Sequence, residues 1–431
     1  MNPSVTGLRA SSDHRAGWTR RFADIRARTE SLAQHLSPED QTIQSMPDAS
    51  PTKWHLAHTS WFFETFLLAP HLPGYRVFDA AYGHLFNSYY ESVGPRHPRP
   101  ARGLISRPGV AEILDYRRHV TENLLRLIES ASARDWDTIA PLIELGFHHE
   151  EQHQELILMD VKHALSLNPL NPAYRAGRKR DAARHDSHPL GWASFAGGLV
   201  EIGHGGGSFA FDNESPRHKI YLAPYRLTTR LVTNGEYLAF IADGGYRRAE
   251  FWLSDGWAAV QAGSWQAPLY WRAGEDDESW AVFTLDGLAP LDPFEPVCHV
   301  SHYEADAFAR WAGRRLPTEA EWENVASPLP VAGNFLDSAV LHPLSAAAGS
   351  GLAQIFGDVW EWTSSAYSPY PGFRVEAGAI GEYNGKFMSG QMVLRGGCCV
   401  TPAGHARATY RNFFPPAARW CFGGIRLAED A

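Results

Sequence analysis

The chain has no apolar run near the roughly 20 residues that a bilayer-spanning helix needs, so no membrane partner is expected. An excess of positive charge is also missing. The formal net charge is -9 at pH 7, which argues against nucleic acid and anionic membrane as partners. Cysteine is scarce: Cys298, Cys398, Cys399 and Cys421 stand at no disulfide or zinc-finger spacing and read as reduced thiols of a cytosolic protein. Met1 to Arg21 is polar, without the apolar stretch of a secretory signal, so a cytoplasmic location is expected. No internal repeat is visible. What remains is a globular balance, 44% apolar and 20% charged. At 431 residues the chain exceeds one ordinary core, and two domains are expected.

The first 167 residues read as helices at about 17–36, 51–69, 109–131 and 137–167, a four-helix bundle with a long crossover at 70–108. The last helix carries His149 and His153. Residues four apart lie about 40° apart around a helix, so the two imidazoles share a face and can grip one metal ion. His148 points about 140° away from His153 and pairs poorly. Leu142, Leu145, Leu156 and Met159 set the pair on the buried face, where an imidazole needs a partner. A polar seam satisfied by backbone carbonyls is the competing reading.

A second segment, Asp48 to His58, opens with Ser50 as helix N-cap and Pro51 at the first helical position. Trp54, His58, Trp61, Thr65 and Leu68 form one stripe, which aims His58 at the core and leaves His55 on a neighbouring face as the other candidate. Two histidines from one helix and one from another would leave coordination positions open, as catalysis requires. The crossover is rich in Pro, Gly, Arg and aromatics and holds Tyr89, Tyr90, Arg96, Arg99 and Arg102. A loop that long inside a compact domain usually carries function.

Residues 168–191 lose all periodicity and read as a linker. From Trp192 to Ala431 the chain turns to short strands and glycine-marked turns. Helices are expected near Val232-Thr233-Asn234, from Ser301 through Trp311, and after Thr318, which opens a capping box with Glu321.

The motifs of this second half resemble those of the formylglycine-generating-enzyme or sulfatase-modifying-factor domain, a variant of the C-type-lectin fold. They are Asp212 to His218, Val232 to Tyr237, Gly313 to Glu323, Gly357 to Trp362, Leu394 to Gly397 and Gly423 to Arg426, and together they cover nearly all of 192–428. Residues 1–167 resemble a DinB-like metal-binding bundle. The fusion is similar to the ergothioneine-biosynthesis sulfoxide synthases (the EgtB family), with 5-histidylcysteine sulfoxide synthases of the ovothiol type as near relatives. The implied fold class is α+β: a DinB-like four-helix bundle, then a loop-rich C-type-lectin-like domain.

The resemblance implies oxygen-dependent carbon–sulfur bond formation at Fe(II), with O2 as co-substrate and hercynine (Nα-trimethylhistidine) and a thiol as small-molecule partners. It assigns the metal ligands to His58, His149 and His153. It assigns hercynine contacts to Gln152, Tyr383 and Asn412, and Phe413 suits a trimethylammonium group, which is drawn to ring faces. Formylglycine generation itself is not expected, because Leu427 stands after Arg426 where that chemistry needs a cysteine.

Two departures refine the expectation. Where γ-glutamylcysteine-using relatives carry an acidic residue and an arginine, this chain has Phe414 and Ala418, so free cysteine is the expected thiol. Where they carry a tyrosine, this chain has Ile380, so Tyr89 and Tyr90 become the catalytic candidates, their side chains pointing opposite ways in an extended loop. Arg99, with Arg96 in reserve, is the expected partner of the cysteine carboxylate, and Arg419 a partial substitute for the missing arginine. A structural calcium near Asp358 is a further cofactor expectation. The other readings are γ-glutamylcysteine as thiol, the ovothiol-type reaction on histidine, a zinc-dependent thiol transferase, and a lectin-like binding protein without catalysis.

Overall fold

The computed structural model describes residues 12–175, 189–274, 279–347, 349, 351–376 and 379–431, the side chains of 12–14 and 379–380 excepted. Most of the expected linker, 176–188, and the side chain of Ile380 therefore lie outside the described residues. The chain forms two compact units, residues 1–161 and 162–431.

In the first unit the apolar periodicity of the sequence becomes α1 (Ser12–Ala33), α2 (Thr52–Phe63), α3 (Val110–Ser130) and α4 (Ala133–Ser166), whose last turn enters the second unit. A π-helical stretch, Glu64–Leu68, and one more turn, Ala69–His71, extend α2. The expected cap of α2 is corrected. Pro51 is the N-cap, and no side chain caps the helix. Ser50 is spent elsewhere: its N–H donates to Asp160 Oδ2 at 2.8 Å and its hydroxyl accepts from Arg102 Nη1 at 2.9 Å. A charged partner outbids a helix end for a hydroxyl.

One buried carboxylate ties the helices together. Glu150 of α4 accepts from Arg26 of α1 at 3.0 Å and from Arg117 of α3 at 2.9 Å. The same arginines donate to Ser60 and Thr59 of α2, each at 2.9 Å. Burial alone would raise the Glu150 carboxyl, but the two guanidinium charges outweigh it and hold it down at about 2. Beside this knot, Gly146 of α4 lets α2 come close: a Cβ there would stand 2.3 Å from Phe63 Cε1.

The second unit is built from short antiparallel pairings. β1 (Trp192–Phe195), β4 (Tyr225–Thr228) and β12 (Ala428–Asp430) form one sheet, with β4 in the centre. β2 (Gly198–Ile202) pairs with β3 (His218–Leu222), and β5 (Trp271–Ala273), β6 (Trp280–Thr284) and β7 (Gly287–Pro290) form a meander. The fourth sheet runs β10 (Asn412–Phe414), β9 (Met392–Arg395), β8 (Trp360–Ala366) and β11 (Gly423–Gly424), with β11 parallel to β8. The three expected helices appear at Asn234–Ala242, His302–Trp311 and Glu319–Ala326, each opened by a capping box from Thr233, Ser301 or Thr318. A further helix, Ser254–Gly263, went unread because Gly256 interrupts its pattern. That glycine admits Tyr303, whose Cβ would lie 2.9 Å from an added methyl.

The second unit's motif residues are largely structural. Glu361 receives both arms of Arg426 and the indole of Trp322, while Arg395 bridges Glu319 and Glu323. Trp360 and Trp362 are core residues. The architecture is α+β, and no helix among the described residues is long and apolar enough to cross a membrane.

Candidate metal centre

His58, His149 and His153 converge. Each offers one ring nitrogen to a group whose ligand atoms all lie within 4.8 Å of one another, and all three side chains are buried. The elements explain the convergence: α4 supplies two imidazoles one turn apart, and the close approach at Gly146 brings α2 and His58 against them. Trp54 and Trp61 sandwich the His58 ring, stacked at 4.6 and 5.5 Å. Its Nδ1–H donates to the Phe86 carbonyl at 2.6 Å, which leaves Nε2 as a lone pair. That Nε2 stands 3.1 Å from His149 Nε2.

The donor set suits a metal ion on chemical grounds. Burial first, then neighbouring imidazoles, push His58 and His153 well below their usual value, and burial takes His149 down to about 3. All three are thus neutral near pH 7 and able to ligate. Two nitrogens each bound at about 2.1 Å, at right angles, would stand about 3 Å apart, matching the 3.1 Å between Nε2 atoms. The remaining candidates fall aside. His148 pairs with Glu151 at 3.1 Å and with Arg21. His55 lies behind the cluster, 2.8 Å from His153 Nδ1.

The crossover loop folds over this cluster. Tyr90 is buried and its ring meets Trp61 at 5.5 Å and Phe66, in the π-helical turn, at 5.2 Å. Tyr89 and Tyr90 do not point opposite ways: their rings stack at 4.7 Å, because Asn87 binds both the N–H and the carbonyl of Tyr90 and closes a turn. Arg99 is exposed and donates to the Asp48 carbonyl. Arg96 is exposed as well, paired with Glu91 at 2.9 Å.

The arginine nearest the cluster is Arg102, which the sequence reading left without a role. Its guanidinium lies 3.4 Å over the Trp54 ring, one aromatic layer from His58. With Lys53, Trp54 and Phe86 it lines a small recess. It has no ion pair among the described residues, and its Nε has no hydrogen-bond partner there. Burial, then the charge of Arg99, push it down to about 8. A guanidinium does not readily give up its proton, so an arriving anion is the natural relief. Spacing alone could not separate it from Arg96 and Arg99.

The other expected contacts are placed as follows. Gln152 is half-buried on α4, next to His153. In the second unit Tyr383 is buried, its ring stacked on Phe211 at 5.3 Å. Asn412, Phe413 and Phe414 form β10 and are half-buried. Phe413 stacks on Tyr367 at 4.1 Å, and Phe414 meets Trp420 edge-on at 5.4 Å. Arg419 gives both arms to Glu304 and so is no substitute for the arginine absent at Ala418. The calcium expectation fits poorly at Asp358. Its carboxylate already accepts from the Asn334 amide, the Leu344 N–H and the Gln354 amide, and no three-ligand group among the described residues includes it.

Comparison with known proteins agrees with the two-unit geometry. Residues 21–164 match the DinB superfamily, and residues 184–346 and 338–431 match the sulfatase-modifying factor enzyme 1-like domain. A hercynine oxygenase of Mycolicibacterium thermoresistibile is 33% identical, the alignment covering 97% of this chain and 95% of that one. One of Mycobacterium tuberculosis is 31% identical over 95% of this chain and 97% of its own. A formylglycine-generating enzyme of Streptomyces coelicolor is 28% identical over 60% of this chain and 96% of its own. Similarity of that extent, running through both units, makes this chain a member of the hercynine oxygenase family.

Proposed function

We propose that the protein is a non-haem iron(II) sulfoxide synthase that joins the sulfur of cysteine to imidazole C2 of hercynine, a step of ergothioneine biosynthesis. The observation that carries the reading is the cluster of three neutral, converging imidazoles in a chain related to hercynine oxygenases along almost its whole length. The balance is one thiol, one imidazole C–H and one O2 giving one sulfoxide and one water. Zinc has no redox chemistry to offer O2, so iron is the fitting metal. When bound by His58, His149 and His153, iron(II) would favour thiolate formation and give O2 a one-electron path to the substrates, whose thiol and imidazole C–H supply the four electrons of the balance.

The chain's own residues do the positioning. Arg102, whose guanidinium lies over Trp54, and Arg99 of the same loop are the proposed partners of the cysteine carboxylate. Tyr89 or Tyr90 holds the proton that the reduced oxygen requires, Tyr90 being the more enclosed. The residues that the family resemblance assigns to hercynine are Gln152 in the first unit and Tyr383 and Asn412 in the second, where Phe413 and Phe414 are the aromatic candidates for the trimethylammonium group. Cysteine is favoured over γ-glutamylcysteine because Phe414 and Ala418 offer no charge to a glutamyl extension and Arg419 is committed to Glu304. All four cysteines are buried free thiols, in keeping with a reducing cytoplasm.

The test is mass spectrometry of an aerobic reaction of the iron-loaded protein. Hercynine is paired with cysteine or with γ-glutamylcysteine, and histidine with cysteine. Hercynylcysteine sulfoxide from free cysteine is expected. Product from γ-glutamylcysteine only would overturn the thiol assignment, and product from histidine only would move the protein to the ovothiol-type reaction. No coupled product with iron verified in place would overturn the catalytic reading.

A further inference from the structure

His55 competes with His58 for the metal in the sequence, and the structure gives it a different place. Its Nε2 lies 3.1 Å from Asp160 Oδ2, and its Nδ1 lies 2.8 Å from Nδ1 of His153. All three side chains are buried. Asp160 Oδ2 also accepts the Ser50 N–H at 2.8 Å.

The proton order follows link by link. The carboxylate can only accept, so His55 Nε2 carries a hydrogen and donates it. With its one hydrogen on Nε2, His55 presents a lone pair at Nδ1. His153 must therefore hold its proton on Nδ1 and donate it to His55. Its Nε2 then keeps the lone pair that a metal ion shared with His58 and His149 would use. The opposite order, with both His55 nitrogens protonated, would consume the Nδ1 lone pair of His153 and leave a proton on the nitrogen that has to ligate. His58 reaches the same tautomer by a weaker device, a single neutral carbonyl at Phe86. His153 is thus backed, through a second ring, by a full negative charge, whereas the His58 Nδ1 meets a neutral carbonyl.

We propose that His55 and Asp160 are positioning residues, a carboxylate–imidazole relay that fixes the tautomer and ring orientation of His153 and strengthens it as a metal donor. The proposal rests on the three-histidine metal reading above. A metal-bound histidine whose other nitrogen donates toward a carboxylate is a more basic ligand, and loss of such a partner typically costs 10–100-fold in metal affinity. Ser50 is part of the device: its backbone N–H donates to the same carboxylate oxygen and holds it in line with His55.

Cobalt(II) titration of the chelator-stripped protein, followed by its visible bands and by competition with a chelator, tests this without substrate or turnover. His55→Phe and Asp160→Leu should each weaken cobalt binding by about 10–100-fold and shift the bands, while Asp160→Asn, which keeps an acceptor oxygen, should recover part of the loss. The unfolding midpoint of each metal-free variant is measured alongside. A lowered midpoint with unchanged cobalt affinity and bands would overturn the relay and make the pair merely structural. Wild-type affinity in these variants, with His58→Ala still abolishing binding, would overturn the relay but leave the metal reading intact. Binding that survives His58→Ala as well would overturn the metal reading itself. Absence of sulfoxide product bears on the proposed reaction only.

Discussion

Replacing Gly146 by alanine should harm this protein although the same change usually favours a helix. In an open helix interior Gly→Ala stabilises by about 1 kcal/mol. Here the new methyl would lie 2.3 Å from Phe63 Cε1 and 2.8 Å from Cζ. Carbon atoms in good contact stand about 3.5–4.0 Å apart, so something must move by more than 1 Å. Phe63 has little room to yield: it is fully buried and packs edge-on against Phe22 at 5.2 Å and Phe62 at 5.9 Å. Overpacking of this kind costs about 1–3 kcal/mol, and the depth of the overlap puts Gly146→Ala at the upper end. The net loss is about 1–2 kcal/mol, or several degrees in unfolding midpoint. The strain has a direction. Gly146 sits three residues before His149 and Phe63 five after His58, so relief by separating α2 from α4 stretches the 3.1 Å between the two Nε2 atoms. Thermal unfolding and cobalt titration of Gly146→Ala read the two effects, and adding Phe63→Leu should restore part of both. A higher midpoint for Gly146→Ala with unaltered metal affinity would refute the argument.

The buried carboxylate knot makes a second prediction. Glu150→Gln leaves Arg26 and Arg117 facing a neutral amide and should cost about 3–5 kcal/mol in urea unfolding of the helical unit; an unchanged midpoint would count against it. Arg102→Met should raise the KM for cysteine tenfold or more while sparing that for hercynine, and equal effects on both would remove Arg102 from the thiol site. His302 predicts an acid-sensitive second unit. Burial lowers its pKa to about 4 from 6.5, against a smaller opposite pull from Asp306, so the unfolded chain takes up the proton first. The stability it confers is complete above about pH 6.5 and is lost as pH falls toward 4, by about 3 kcal/mol at most. His302→Leu should flatten that part of the stability–pH curve, which an unaltered curve would contradict.

The helices of the first unit and the shared face of His149 and His153 were legible because one period governs both burial and ligand spacing, whereas the choice of His58 over His55 came from the family resemblance. What escaped was decided by long-range competition. Ser50 carries every local mark of a cap, yet Arg102 and Asp160, distant in sequence, claim its two polar groups. Arg96, Arg99 and Arg102 look alike in a proline-rich loop, and only folding reveals which one is sealed over Trp54. Tyr89 and Tyr90 stack because Asn87 closes a turn that no periodicity announces. Helix Ser254–Gly263 hid behind two glycines, one of them needed for contact with Tyr303. Asp358 resembles a cation ligand by type, but its neighbours present amide hydrogens rather than oxygens.

The knot of Arg26, Arg117 and Glu150 has a consequence for how the metal is acquired. It locks all four helices through charge and hydrogen bonds that involve no metal ligand, so the imidazoles are in place before any ion arrives. On the proposed metal reading, uptake would then be a late, reversible event and not a step of folding. Such a rigid nitrogen site has no means to reject the wrong divalent ion, since copper and zinc bind imidazole more tightly than ferrous iron does. Correct metallation would fall to the supply of iron in the cell. Protein purified with zinc in the site would be well folded, stable and silent, a mis-metallated form that chelation and ferrous reloading should return to activity.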